Sequence, residues 1–164
     1  MKKEAGKSSK PKLQVVTLVR GALNSKAKGE LAELAFSLKA ASLGFGVAKP
    51  HGDNERYDFI VDGGEGLWRV QVKSTSHIHY AGYRARCDRG NDKLYKTNEF
   101  YFLAVYIVPL GIWYVLPAHL AVGGTWLAFY PSGCKTGGYL ECYREAWHLM
   151  AGHASPLAEQ GTTK

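Results

Sequence analysis

Between residues 67 and 75 the chain reads Leu-Trp-Arg-Val-Gln-Val-Lys-Ser-Thr, with apolar and polar positions taking turns. A period of two predicts a strand whose Trp68, Val70 and Val72 face a core while Arg69, Gln71 and Lys73 face the other way. The apolar segment at 56–62 predicts a partner strand, and Gly63, Gly64 and Gly66 predict the hairpin turn between them. Other short apolar segments predict strands at 45–49, 100–108, 112–116 and 126–130, with Pro109-Leu110-Gly111 as a turn. Residues 77–86 read as a further strand or an extended loop, 87–98 as a polar loop, and 117–120 as a short helical turn. The longest apolar run, 100–110, reads as a buried strand and is too short to span a membrane.

Elsewhere the period lengthens. Leu31, Leu34, Ala35, Leu38 and Ala41 predict the apolar stripe of a helix over 26–42, with Asn24-Ser25 as its cap region and Gly44 beyond its end. Glu30 borders that stripe and Glu33 lies further round. Leu140, Tyr143, Trp147 and Met150 have the spacing of a second helix over 140–150. The apolar segment 13–19 fits either a strand or a helical arm. The organisation expected is a basic N-terminal arm at 1–25, one folded domain at 26–150 and a polar tail at 151–164, with no internal repeat. Helix, strands, more strands and helix predict an α/β fold, a mixed β-sheet flanked by α-helices.

Composition narrows the partners. The chain has 164 residues, enough for one domain with a proper core, and a net charge of +7, which suits a polyanion. Lys2, Lys3, Lys7, Lys10 and Lys12 accompany a single acid, Glu4, in the first segment. Arg84, Arg86, Arg89, Lys93 and Lys96 interleave with Tyr80, Tyr83 and Tyr95, as a nucleic-acid-contacting loop would; an ordinary solvated loop looks the same. Cys87, Cys134 and Cys142 are odd in number and widely spaced, which fits free thiols in a reducing cytoplasm. There is no signal peptide pattern. His77 and His79 share a strand face, but without a third ligand they read as a polar face, not a metal site.

The chemistry concentrates around the first hairpin. Asp58 opens the strand before the turn, so folding the hairpin brings it close to Gln71. A hard cation such as Mg²⁺ takes oxygen ligands, and a carboxylate with an amide carbonyl supplies them. A bound cation activates water and offsets charge on phosphate oxygens, and a neighbouring lysine can position or deprotonate that water. Val-Gln-Val-Lys alone would equally describe any half-exposed strand.

Taken together, Lys28-Gly29-Glu30-Leu31-Ala32-Glu33-Leu34-Ala35, Leu43-Gly44, Tyr57-Asp58-Phe59-Ile60-Val61-Asp62 and Arg69-Val70-Gln71-Val72-Lys73-Ser74 resemble the PD-(D/E)XK nucleases. The resemblance covers about residues 28–120 and is nearest to the endonucleases encoded in group I introns, which also resemble Holliday junction resolvases. The separations, 58 − 33 = 25 and 71 − 58 = 13, fit that core. The resemblance implies a restriction-endonuclease-like core and a metal-dependent endodeoxyribonuclease of homing type. It makes Glu33, Asp58, Gln71 and Lys73 catalytic, with Asp58, Gln71, the Val72 carbonyl and Glu33 as ligands of Mg²⁺, for which Mn²⁺ can substitute. Glu30 is the rival of Glu33 on helical spacing alone. Double-stranded DNA is the implied partner, with Arg69, Ser74, Tyr83, Arg84, Arg86, Arg89, Lys93 and Lys96 as contacts. A chain this small implies a homo-oligomer, dimer or tetramer, to cut both strands. Two positions depart from the family pattern: Tyr57 stands in place of Pro, and Gln71 in place of an acid. The second keeps open a catalytically inactive DNA-binding module, and a branched-DNA resolvase is the alternative enzyme.

Overall fold

Asn24 starts the described chain as a helix cap: its side-chain oxygen accepts the Ala27 N–H at 2.8 Å, satisfying one of the donors that a helix start leaves unpaired. The helix, α1, runs Ser25–Ser42, close to expectation. The computed structural model describes residues 24–52, 54–90, 93–133 and 138–151. The arm up to residue 23, the apolar segment at 13–19 and the tail from 152 lie outside the described residues.

The buried face of α1 is not the leucine stripe. Ala32, Phe36 and Ala40 are buried, whereas Leu31, Leu34 and Leu38 are 48%, 66% and 75% exposed. Shape decides this. Two alanines, each four residues from Phe36, bring the helix close to the sheet, and Phe36 between them enters an aromatic cluster. Its ring centroid lies 5.2 Å from Phe59, 5.7 Å from Trp113 and 5.6 Å from Trp147. Such contacts add to the large area an aromatic ring buries.

The strands are β1 (Gly46–Ala48), β2 (Phe59–Asp62), β3 (Leu67–Thr75), β4 (Ile78–His79), β5 (Gly82–Arg86), β6 (Phe102–Ile107), β7 (Ile112–Pro117) and β8 (Trp126–Phe129). Five form a sheet in the order β1-β2-β3-β6-β7, and β4-β5-β8 form a second. The first is mixed: β3 and β6 are parallel and its other pairings antiparallel. At the β2–β3 turn, a Cβ on Gly63 would run into the Met150 carbonyl oxygen. The Trp68 indole N–H donates to that same oxygen at 2.8 Å, so the end of the described chain is held against the hairpin.

The five-stranded sheet is covered on both faces, but by helix on only one. Val70, Val72 and Ala104 pack with Phe36 and Trp147 beneath α1. The opposite face, with Leu103, Val105 and Leu116, packs against Ala85, Leu127 and Phe129 of the second sheet. The expected helix over 140–150 is instead two 3-10 turns, Glu141–Tyr143 and Trp147–Leu149. The chain between them is tied to β7. Tyr114 bridges Arg144, Glu145 N–H donates to Trp113 O at 2.8 Å, and Trp113 N–H donates to Glu145 Oε1 at 2.8 Å. Glu145 has φ +50°, outside helical space. Residues 77–86 resolve into the β4–β5 hairpin, β5 pairing with β8. Among the described residues, no helix is long and apolar enough to cross a membrane.

Candidate active site

The β2–β3 register sets the site. Phe59 faces Val70 and Ile60 faces Arg69, so one step earlier Asp58 comes opposite Gln71. β2 begins only at Phe59, and β3 beyond Gln71 therefore loses its neighbour on that side. Asp58 fills the first vacancy: its Oδ2 accepts the Val72 N–H at 2.7 Å and the Gln71 Nε2–H at 2.6 Å. Gln71 also donates to the Val72 carbonyl at 3.3 Å. The amide group thus sits against two oxygens, one carboxylate and one carbonyl. Turning that amide end for end would put its own oxygen there, giving three oxygen donors around one point, two from β3 and one from the residue before β2. This donor set suits a hard cation such as Mg²⁺. It contains only one carboxylate, and accordingly no group of three His, Cys, Asp or Glu side chains is assembled among the described residues.

Burial dominates the titration of Asp58, raising it from 3.8 to about 6; Glu33 adds to the rise, while the Val72 N–H, Lys73 and Lys49 oppose it. A carboxylate so placed is costly to ionise unless a cation arrives.

Glu33 projects from α1, next to buried Ala32, toward Asp58. Its Oε2 lies 2.7 Å from the Lys49 ammonium. Glu30, favoured by the leucine wheel, is on the exposed side, 4.0 Å from Lys26. Once the true buried face is Ala32-Phe36-Ala40, the wheel argument for Glu30 falls with the stripe that supported it.

These groups line a groove of about 980 Å³. One wall is the first half of α1, including Lys28, Gly29 and Glu33. The floor is the unpaired edge of β3 from Gln71 to Thr75, and the far wall is Arg86, Asp88 and Arg89 at the end of β5. Lys73 sits in it with its ammonium 5.6 Å from the ring centre of buried Tyr95. Burial pushes the Tyr95 phenol up, and Lys73 partly offsets this. Behind it, Cys87 is pushed by burial up to about 12, an inert thiol. Asp88 is 2% exposed and takes Arg86 Nε at 2.9 and 2.8 Å on its two oxygens. Burial raises its carboxyl, but Arg86, the Gly90 N–H and Lys73 outweigh that and hold it below the usual range.

The other expected contacts scatter. Ser74, Arg86 and Arg89 line the groove. Arg89 is engaged by Glu99 at 3.2 Å. The Arg69 guanidinium is 5.8 Å from the Tyr57 ring and 5.0 Å from Tyr101. Tyr83 packs into the second core. Lys93 and Lys96 are exposed on the loop, away from the groove walls. Arg84 lies on the outer face of the second sheet, 4.7 Å from the Trp126 ring, with Arg86 at 6.0 Å from the same ring. Lys49, Asp88 and Trp126 escaped the reading of the sequence, and Tyr95, read there as part of the basic-aromatic loop, is buried beside Lys73. Asp88 could have been found, as the single acid among Arg84, Arg86 and Arg89; Lys49 and Trp126 carried no local signal.

A mixed five-stranded sheet with a carboxylate, an amide and a lysine gathered where one strand loses its neighbour is the architecture of a restriction-endonuclease-like protein. The family model described as PD-(D/E)XK endonuclease matches residues 23–127, and the chain belongs to that family. Among solved structures it is similar to one titled "The structure of a bacterial homing endonuclease: I-Ssp6803I". That match has 30% sequence identity and a TM-score of 0.68, and covers 78% of this chain and 91% of the other. No curated protein sequence matches.

Proposed function

We propose that this protein is a Mg²⁺-dependent endodeoxyribonuclease of homing type, associated with a group I intron, that hydrolyses double-stranded DNA from a homo-oligomer, dimer or tetramer. The observation that carries the reading is the gathering of the Asp58 carboxylate, the Gln71 amide and the Val72 carbonyl, with Lys73 one step along the same strand, at the floor of an open groove. The likeness to a bacterial homing endonuclease favours a sequence-directed cutter over a branched-DNA resolvase.

Asp58, Gln71 through its amide oxygen and the Val72 carbonyl would hold the cation, with Glu33 on its outer side. Such an ion supplies an activated water and offsets charge on the phosphate. The chain's own residues do the rest. Lys73, propped on Tyr95, holds its ammonium at the floor, where it orients the attacking water and steadies the phosphate charge. Asp88 fixes Arg86 at the wall, beside the path of a phosphate backbone. DNA lies across the groove and onto the outer face of the second sheet, where Arg84, Arg86 and Trp126 present charge and a ring to it. The major groove admits a two-stranded antiparallel ribbon, and β5 with β8 form such a pair within the second sheet.

The test is a cleavage panel of linear plasmid, four-way junction and flap substrates with Mg²⁺ or Mn²⁺. Linear duplex should be cut by the wild-type protein and left intact by Asp58→Ala, which should still bind it. Preference for the junction would transfer the protein to the resolvases. Cutting by Asp58→Ala at the wild-type rate would refute the site.

A further inference from the structure

Lys49 stands one residue beyond β1 and two beyond Val47. Side chains two apart in an extended segment share a face, and Val47 packs in the core beneath α1. The main chain therefore delivers Lys49 to the α1 side of the sheet, the side from which Glu33 projects. Their charged atoms are 2.7 Å apart, a charge-assisted contact. The ammonium also lies 6.0 Å from the centre of the Phe59 ring. It borders a small cavity of about 170 Å³ that it shares with Glu33, Glu55, Tyr57 and Asp58.

The charge count at the site is informative. The charged groups that shift the Asp58 carboxyl are Glu33, Lys73 and Lys49, and with Asp58 itself these four come to −2 + 2 = 0. Gln71 contributes no charge where the family pattern has an acid. Two divalent ions side by side need carboxylates to offset their mutual repulsion, and repulsion between like charges a few ångströms apart is large. Asp58 is committed to the cluster with Gln71 and Val72. Glu33 is the other carboxylate within reach, and Lys49 already faces it. Glu55 also lines the small cavity with Lys49 and Asp58.

We propose that Lys49 is the built-in cation of Glu33: its ammonium takes the place of a second divalent ion, so each chain binds one divalent cation, at Asp58. This rests on the metal-dependent reading above. Lys49 is a positioning residue. It keeps Glu33 aimed at the water side of the cation and lowers the negative potential that an incoming phosphate meets, without requiring a second ion to be dehydrated.

Mn²⁺ titration of the full-length chain, with the free ion counted by its electron paramagnetic resonance signal, tests this without any turnover. Wild type should bind one Mn²⁺ per chain. Lys49→Met and Lys49→Gln, both shorn of charge, should bind two. Adding Glu33→Gln to Lys49→Met should return the count to one, and Lys49→Arg should leave it at one. Circular dichroism checks that each variant folds, which the exposure of Lys49 favours. Two ions on the wild type would overturn the role of Lys49 while upholding the metal site. A count that stays at one in both neutral variants would also overturn it. No bound ion on the wild type would overturn both this role and the metal-dependent reading.

Discussion

Replacing Asp58 by Asn should make the metal-free protein more stable, and by an amount that depends on pH. Burial lifts the Asp58 carboxyl from 3.8 to about 6. The folded state therefore binds this proton more tightly than the unfolded state does. Its contribution is fully present while the group is protonated in both states, below about pH 4, and is lost as pH rises through about 6. The size follows from about 1.4 kcal/mol for each tenfold change in proton affinity, which makes the full loss about 3 kcal/mol. Asn has the same shape, carries no charge, and its side-chain oxygen can still accept the Val72 N–H. The stability gap between Asp58→Asn and wild type should therefore widen by about 2 to 3 kcal/mol between pH 4 and pH 8. Urea denaturation in excess chelator at pH 4, 5, 6, 7 and 8 measures it. A gap that is flat with pH would refute the claim that Asp58 is held in a desolvated, cation-seeking state. Saturating Mg²⁺ should then stabilise wild type at pH 8, by about 2.7 kcal/mol at a hundredfold excess over its Kd, and leave the Asn variant unmoved.

Phe36→Ala should cost about 3 to 5 kcal/mol, against under about 0.5 kcal/mol for Leu34→Ala on the exposed face; equal losses in thermal melts would restore the leucine stripe as the buried one. Gln71→Leu should weaken Mg²⁺ use and Gln71→Glu should shift cleavage to lower Mg²⁺, so matching metal titrations for Leu and wild type would remove Gln71 from the ligands. Glu33→Gln should lose far more activity than Glu30→Gln, the reverse order transferring the role to Glu30. Arg84→Ala should weaken DNA binding and reduce the slope of log Kd against log salt by about one, whereas Tyr83→Ala should lower stability and leave that slope alone; an unchanged slope for Arg84→Ala would move DNA off the second sheet.

The local pattern carried far. Alternation from Leu67 to Thr75 is enough to define β3 and its faces, because a strand's period is a property of the backbone alone. Glycines 63, 64 and 66 located the turn, and the distance from Asp58 to Gln71 then put the two opposite each other. The length and cap of α1 were likewise legible, since caps act within one turn.

What lay beyond was decided by packing between distant segments. Leucine outranks alanine in hydrophobicity, yet α1 buries Ala32 and Ala40, because the helix packs on the sheet through Phe36, which meets Phe59, Trp113 and Trp147. The helical spacing at 140–150 is real, but hydrogen bonds to Trp113, 32 residues upstream of Glu145, hold that chain as two 3-10 turns. Arg84 and Tyr83, adjacent in a stretch that read as one basic-aromatic segment, turn to opposite faces once β5 pairs with β8. Lys49 meets Glu33 across 16 residues only because β1 runs back beneath the helix. Periodicity states which neighbours a residue has along its own element. Which residue it meets across a groove depends on how elements stack, and that is set by the three-dimensional fit of all of them at once.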